Sequence, residues 1–156
     1  MSKKREPAVA KLFIRADSGY IFSEKNKLGS TSDHRLELIG GKIDRCDKTP
    51  VDALIREAGE EDLSGIIASE VRRQQPKGKE IVVGKQDHSI FEISISDAQL
   101  KNLRPNEDES HGFVRIEAKI IDEPSELTNA QNFSRFTDKT QKILRKLGFI
   151  LKNEAM

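Results

Sequence analysis

The sequence predicts an α/β protein, an α/β/α sandwich in which a mixed sheet lies between helices. Three observations carry that prediction. Short apolar or alternating runs at residues 9–14, 20–22, 35–38, 81–83, 91–95 and 113–121 have strand character. Two amphipathic helical patterns, one opening at Thr49 and one at Phe136, interrupt them. No repeat, low-complexity tract or linker divides the 156 residues, a length that suits one domain over 1–156 with a flexible basic N-terminus at 1–7.

The first strand, 9–14, is bounded by the turn signal Asp17-Ser-Gly19, and residues 20–22 follow as the second. Residues 24–33 are polar and read as a loop. Arg35-Leu-Glu-Leu38 alternates like a half-buried strand and runs into Ile39-Gly-Gly41. Thr49-Pro50-Val51-Asp52 then offers an N-cap hydroxyl, a proline at the first helical position and an acid at the third. Val51, Leu54, Ile55 and Ala58 recur at i, i+3, i+4 and i+7 along one apolar face, and the helix is expected to fade around 63–65. Residues 72–79 read as a polar loop, 81–83 as a strand, and Phe91, Ile93 and Ile95 as the inward side of another. Ser96-Asp97 caps a short helix over 98–103. Residues 105–112 are acidic and irregular. Phe136, Thr140, Ile143, Leu144 and Leu147 trace the last helix, which Gly148 stops.

Composition narrows the function classes. Lys and Arg number 27 against 26 Asp and Glu, so the formal charge of +1 lacks the basic excess of a duplex nucleic-acid binder. A single cysteine, Cys46, has no internal disulfide partner, which fits a reducing compartment. No apolar run approaches the roughly 18 residues of a membrane span, and no apolar stretch follows the charged N-terminus as in a secretory signal. The expectation is a soluble, cytoplasmic domain with no membrane partner.

Chemistry concentrates in residues 40–61: a strand end, a Gly40-Gly41 loop, and a helix carrying Arg56, Glu57, Glu60 and Glu61. The three glutamates sit at i, i+3 and i+4 and share one flank, turned away from the apolar face. Like charges so placed repel by about 0.2–0.5 kcal/mol per pair, and a hard divalent cation converts that penalty into a site. Oxygen-only ligands select Mg²⁺ or Mn²⁺ over Zn²⁺. The glycine pair lets backbone pass close to a bound metal or phosphate. Gly59, inside the helix, costs about 1 kcal/mol relative to alanine, for which close packing or substrate approach is one explanation.

This order of residues resembles the Nudix box, a Gly, five residues, Glu, seven residues, then Arg-Glu-U-x-Glu-Glu-x-Gly-U, with U bulky and apolar. Here Gly41 is followed after five residues by Asp47, and after eight more by Arg56-Glu-Ala-Gly-Glu-Glu61. The strand 36–39 entering the Gly-Gly turn and the Thr49-Pro50 helix opening are similar to the family as well. Asp47 replaces the loop Glu, one residue is added before the helix, Ile39 stands where a Pro is common, Ala58 is small, and Leu63-Ser64 replace the terminal Gly-U.

The resemblance implies a Nudix-like fold and a pyrophosphohydrolase acting on a nucleoside diphosphate linked to another moiety. It implies Glu57, Glu60 and Glu61 as ligands of Mg²⁺ or Mn²⁺, with the Gly40 carbonyl beside them and Gly41 shaping the loop. Arg56 would orient a carboxylate and Asp47 would supply the loop acid's support. The general base would come from the helix, as Glu60, or from a later loop, where Glu107 and Glu109 are candidates and Glu109 is preferred. The altered loop motivates a second reading, a catalytically impaired module that binds a nucleotide as a sensor. The basic groups Lys3-Lys4-Arg5 and Lys139, Lys142, Arg145, Lys146 motivate only a weak third, hydrolysis at an RNA 5′ end. Homodimer formation follows from family analogy alone. His34, His88 and His111 are too scattered in sequence to suggest a metal triad, although His111 reaches substrate if the acidic loop borders the cleft. Tyr20, Phe22 and Phe91 read as core, and Cys46 as a thiol without a His partner.

Overall fold

The computed structural model describes residues 6–17, 19–117 and 134–146. The expected N-terminal tail at 1–5, the strand residues 118–121, and Leu147 and Gly148 lie outside these residues. In chain order the elements are β1 (Glu6–Ala16), β2 (Gly19–Lys25), β3 (Leu36–Glu37), β4 (Ile39–Lys42), α1 (Pro50–Glu61), α2 (Ile66–Gln74), β5 (Lys79–Val83), β6 (Gln86–Ser94), α3 (Asp97–Asn102), β7 (Ser110–Glu117) and α4 (Asp138–Lys146). β1 already begins at Glu6, inside the stretch expected to be an irregular tail.

The described strands form one mixed sheet in the order β3-β2-β1-β6-β5, with β4 added to β1 and β7 to β2. β1 and β6 are parallel, while the other described pairs are antiparallel. One edge of β1 is shared. Ile14 to Ala16 pair with β2, whereas Val9 to Leu12 pair with β4. β2 leaves β1 at that point and continues along β7 and β3, so the sheet splits.

Each face of the sheet carries its own core. Ala10, Leu12 and Ile14 of β1 pack with Leu54 and Ala58 of α1 and Ile67 and Val71 of α2. Phe13, Phe22 and Leu36 pack on the other face with Phe136, Ile143 and Leu144. Alternation along β1 sends successive side chains to opposite cores, which makes this a three-layer α/β/α arrangement. Tyr20, Phe22 and Phe91 are buried, as their strand positions predict.

Helix α2 is the main departure from the sequence reading, which placed a polar loop over 72–79 and assigned no helix just before it. Ile67, Ala68 and Val71 do mark an apolar face. The boundary signals mislead: Gly65 stands at the N-cap with φ +79° and no side-chain cap, and the C-cap is Gln75, a non-glycine residue at φ +44°. The missing cap comes from Asp62, whose buried carboxylate accepts from the backbone N–H of Ile67 and Ser64, the Ser64 hydroxyl and the N–H of Arg104. The true loop is residues 75–78. The last helix also starts later than its pattern. Phe136 precedes α4, whose first turn is closed by Thr140 N–H donating to the Thr137 hydroxyl.

Glu70 ties α2 down. Its carboxylate accepts from Arg73, from Gln74 at 2.8 Å and from Gln99 of α3 at 3.0 Å, and these partners hold it down to about 2. A carboxyl whose folded pKa is depressed stabilises fully above about 4.5 and loses that contribution as pH falls toward about 2. Glu70→Gln is therefore expected to cost about 1–2 kcal/mol at pH 7, with a shallower acid dependence of the unfolding midpoint between those limits.

Candidate functional site

The chemistry collects where the sheet splits. A cleft of about 290 Å³ is lined by Glu57 and Glu61 of α1, Glu37 of β3, Gly40 of β4, Lys25 to Lys27 after β2, and Asp108 and Glu109. Helix α1 is positioned by the features its sequence announces. Thr49 accepts from Asp52 N–H, Asp52 accepts from Thr49 N–H, and Pro50 opens the first turn. Its inner face is Ala53, Leu54, Ala58 and, at the C-terminal end, Glu61.

The glycine pair does two different things. Gly40 has φ +141°, and a Cβ there would overlap the Ala10 carbonyl oxygen and stand 2.9 Å from Lys11 Cα, so β4 lies directly against β1. At Gly41 a Cβ would stand 2.5 Å from Glu57 Oε1; the absent side chain is the space the Glu57 carboxylate occupies.

Arg56 is the hub of the loop. Its Nη2 lies 2.9 Å from Asp47 Oδ2 and 3.0 Å from the Lys42 carbonyl, and its Nε lies 3.3 Å from Asp47 Oδ1. Its Nη1 reaches Glu57 at 3.1 Å and Glu60 at 3.7 Å. Asp47 also accepts from Asp44 N–H, and the Arg56 guanidinium with this bond holds its carboxyl below the usual range. The shorter acid and the added residue thus still close a forked pair on Arg56.

Burial divides the three α1 glutamates. Glu61 is buried, and burial, opposed by the Ser23 side chain nearby, pushes it up to about 7. Glu57 is half-buried and raised, first by burial and then by Glu60. Glu60 is exposed at the rim and does not line the cleft. Glu109 is raised by burial and by the neighbouring Glu60 and Glu57. Its turn is fixed to α1 by Asn106, whose N–H donates to the Glu61 carbonyl and whose amide donates to the Glu60 carbonyl. Glu107 points its backbone carbonyl at the Asn26 amide and lies outside the cleft lining.

Two groups in the site were not singled out from the sequence. Glu37 faces Glu61, and Lys11 of β1 lies under the carboxylates, where burial lowers its pKa against the pull of Glu37, Glu61 and Glu57. The alternation of 35–38 identifies Glu37 as the outward residue of its strand, but only the split sheet turns outward into the cleft. His88 is buried among the strands, while His34 and His111, far apart in sequence, stack on each other. Among the described residues a Cβ at Gly59 would meet nothing within 4 Å. Close packing against the described residues does not account for it, and Gly59→Ala is expected to raise stability by about 0.5–1 kcal/mol in thermal unfolding.

No family model matches the sequence, and no curated protein does. Solved structures do. The chain is similar to a bifunctional NMN adenylyltransferase/ADP ribose pyrophosphatase from Francisella tularensis, complexed with AMP and a Mn ion, at 15% identity and TM-score 0.66. That match covers 99% of this chain but 44% of the other, so the chain spans less than half of that protein's length. An Ap4A hydrolase from C. elegans matches at 13% identity and TM-score 0.56, over 95% of this chain and 99% of that one. The NUDIX domain of Shewanella oneidensis NrtR, complexed with ADP ribose, matches at 9% identity and TM-score 0.59, over 96% and 90%. The chain has the Nudix fold, as the motif in residues 40–61 implies.

Proposed function

We propose that the protein is a divalent-metal-dependent pyrophosphohydrolase acting on a nucleoside diphosphate linked to another moiety. The observation that carries this reading is the convergence of Glu57, Glu61, Glu37 and Glu109 on one cleft beside Gly40. The donor set fits a hard cation. It is oxygen-only, and Glu57, Glu61 and Glu109 are raised first by burial and then by neighbouring carboxylates, a cost that a bound cation would offset.

Glu57, Glu61 and the Gly40 carbonyl would hold Mg²⁺ or Mn²⁺, with Glu60 at the rim. Such an ion offsets phosphate charge, polarises phosphoryl oxygens and lowers the pKa of a bound water. Arg56, gripped by Asp47 and the Lys42 carbonyl, presents Glu57 in one orientation. Glu109, raised by burial and by Glu60 and Glu57 on a turn that Asn106 anchors, would take the proton of the attacking water at its carboxylate. Lys25 and Lys27 at the opening supply cations for the remaining phosphate oxygens.

The test is phosphate release from a nucleotide panel with Mg²⁺ or Mn²⁺, adding a phosphatase to reveal new monoesters. Metal-dependent product that disappears in Glu57→Gln supports the proposal. Silence from folded protein across the panel overturns it. If a panel nucleotide then raises the melting temperature, the cleft binds without hydrolysing.

A further inference from the structure

Beside the cleft, but not in it, Glu24 near the end of β2 and Asp33-His34 in the following loop meet His111, distant in sequence at the start of β7. The two imidazoles stack with centroids 4.0 Å apart and planes 9° from parallel. Glu24 Oε2 lies 2.6 Å from His34 Nδ1. Asp33 lies against the Nε2 side, 2.9 Å from His111 Nε2 and 3.5 Å from His34 Nε2. Ligand atoms of Glu24, His34 and His111 all fall within 4.8 Å of one another. His34 holds φ +67°, one of two non-glycine residues with positive φ among those described.

We propose that Glu24, His34 and His111 form a second metal site, for a zinc-class transition ion, with Asp33 as the outer carboxylate that orients the rings. The chemistry differs from the cleft's. Two imidazoles and a carboxylate make a mixed nitrogen and oxygen set, which favours Zn²⁺ and its neighbours over Mg²⁺. Asp33 accepts the Nε2–H of His111, which leaves the Nδ1 lone pair of that ring as its ligand atom. A carboxylate on the far nitrogen is the usual support of a metal-bound histidine. At His34 the ion replaces the proton now shared between Nδ1 and Glu24. Bonds of about 2.0–2.1 Å in a tetrahedron place ligand atoms about 3.3 Å apart. The ligand atoms therefore close by no more than about 1.5 Å, and because in-plane lone pairs of parallel rings do not meet at one point, binding also turns the two imidazoles out of their stack, through side chains that are partly or largely exposed.

The consequence reaches the cleft through the same loop. Asn26 N–H donates to the Glu109 carbonyl, and Lys27 N–H donates to Asp33 Oδ1. An ion on Glu24, His34 and His111 fastens this loop to β2 and β7 and thereby fixes the cleft wall that Asn26 and Lys27 form.

The experiment titrates metal-free protein with Zn²⁺ against a chromophoric competitor, in millimolar Mg²⁺ to saturate the cleft. The expected result is one Zn²⁺ per chain with a dissociation constant at or below the low micromolar range. His34→Asn, His111→Asn and Glu24→Gln should each weaken it at least about 100-fold, while Glu57→Gln leaves it unchanged. Asparagine is chosen at 34 because it tolerates the left-handed backbone. Co²⁺ should give visible ligand-field bands that His34→Asn removes. The proposal is overturned if wild type binds no more Zn²⁺ than the His34→Asn/His111→Asn double variant. It is equally overturned if a stoichiometric site survives in that double variant and vanishes in Glu57→Gln, which places the ion in the cleft.

Discussion

Glu61→Gln should lose at least about 100-fold in turnover and gain stability in the metal-free protein. The first effect follows from its place as the most buried carboxylate of the cleft, where an amide offers one neutral oxygen in place of a charged ligand. The second follows from burial. The Glu61 carboxyl, pushed up to about 7 from an ordinary 4.5, binds its proton more tightly in the folded than in the unfolded chain. Its contribution is fully present below about pH 4.5 and is lost as pH rises through about 7. Glutamine has no such dependence. With chelator present, the variant should exceed wild type by about 2–3 kcal/mol at pH 8 and converge with it near pH 4.5. Denaturant unfolding at several pH values measures the difference. A variant that is inactive but no more stable at pH 8 would contradict the burial argument while leaving the ligand argument standing.

Gly40→Ala should damage the fold rather than the chemistry. A Cβ at this position meets Ala10 and Lys11 backbone, which cannot swing aside like a side chain, and φ +141° is itself costly for alanine. Relief requires opening the β1–β4 ladder that Val9 to Leu12 make with Ile39 to Lys42. The expected loss is about 3 kcal/mol or more, read as a large drop in melting temperature or as failure to recover soluble protein. Added Mg²⁺ should not restore it. Wild-type stability in Gly40→Ala would mean that β4 does not lie against β1 as described.

The parts of the site that read from the sequence are those fixed locally. Thr49, Pro50 and Asp52 announce the start of α1, and 3.6-residue periodicity then makes Glu57, Glu60 and Glu61 neighbours on the helix. That Glu61 turns to the buried inner face while Glu60 stays exposed at the rim is set by tertiary packing, against the expectation of one flank turned away from the apolar face. The α/β/α layering was legible for the same reason, since short apolar runs and amphipathic stretches alternate along the chain. What stayed hidden depends on pairing at a distance. Helix α2 borrows its cap from Asp62 and its anchor from Gln99, so neither end shows the usual boundary residues. Glu37 and Lys11 enter the cleft only because β2 departs from β1 where β4 takes over. His34 and His111 are 77 positions apart in the chain, and no periodicity brings them together.

The parallel pairing of β1 with β6 has a consequence for synthesis. Val9 to Arg15 find their partners only at His88 to Ser94, nearly eighty residues later. A chain growing at roughly 5–20 residues per second carries an unsatisfied central strand, apolar on both faces, for several seconds before that partner exists. Closing so long a loop must precede most of the stabilising contacts, which places the barrier to folding late and makes it slow for a domain of this size. During that interval the nascent chain is an open template for strand addition, and chaperone capture of the segment around Leu12 and Ile14 is the safeguard this topology calls for.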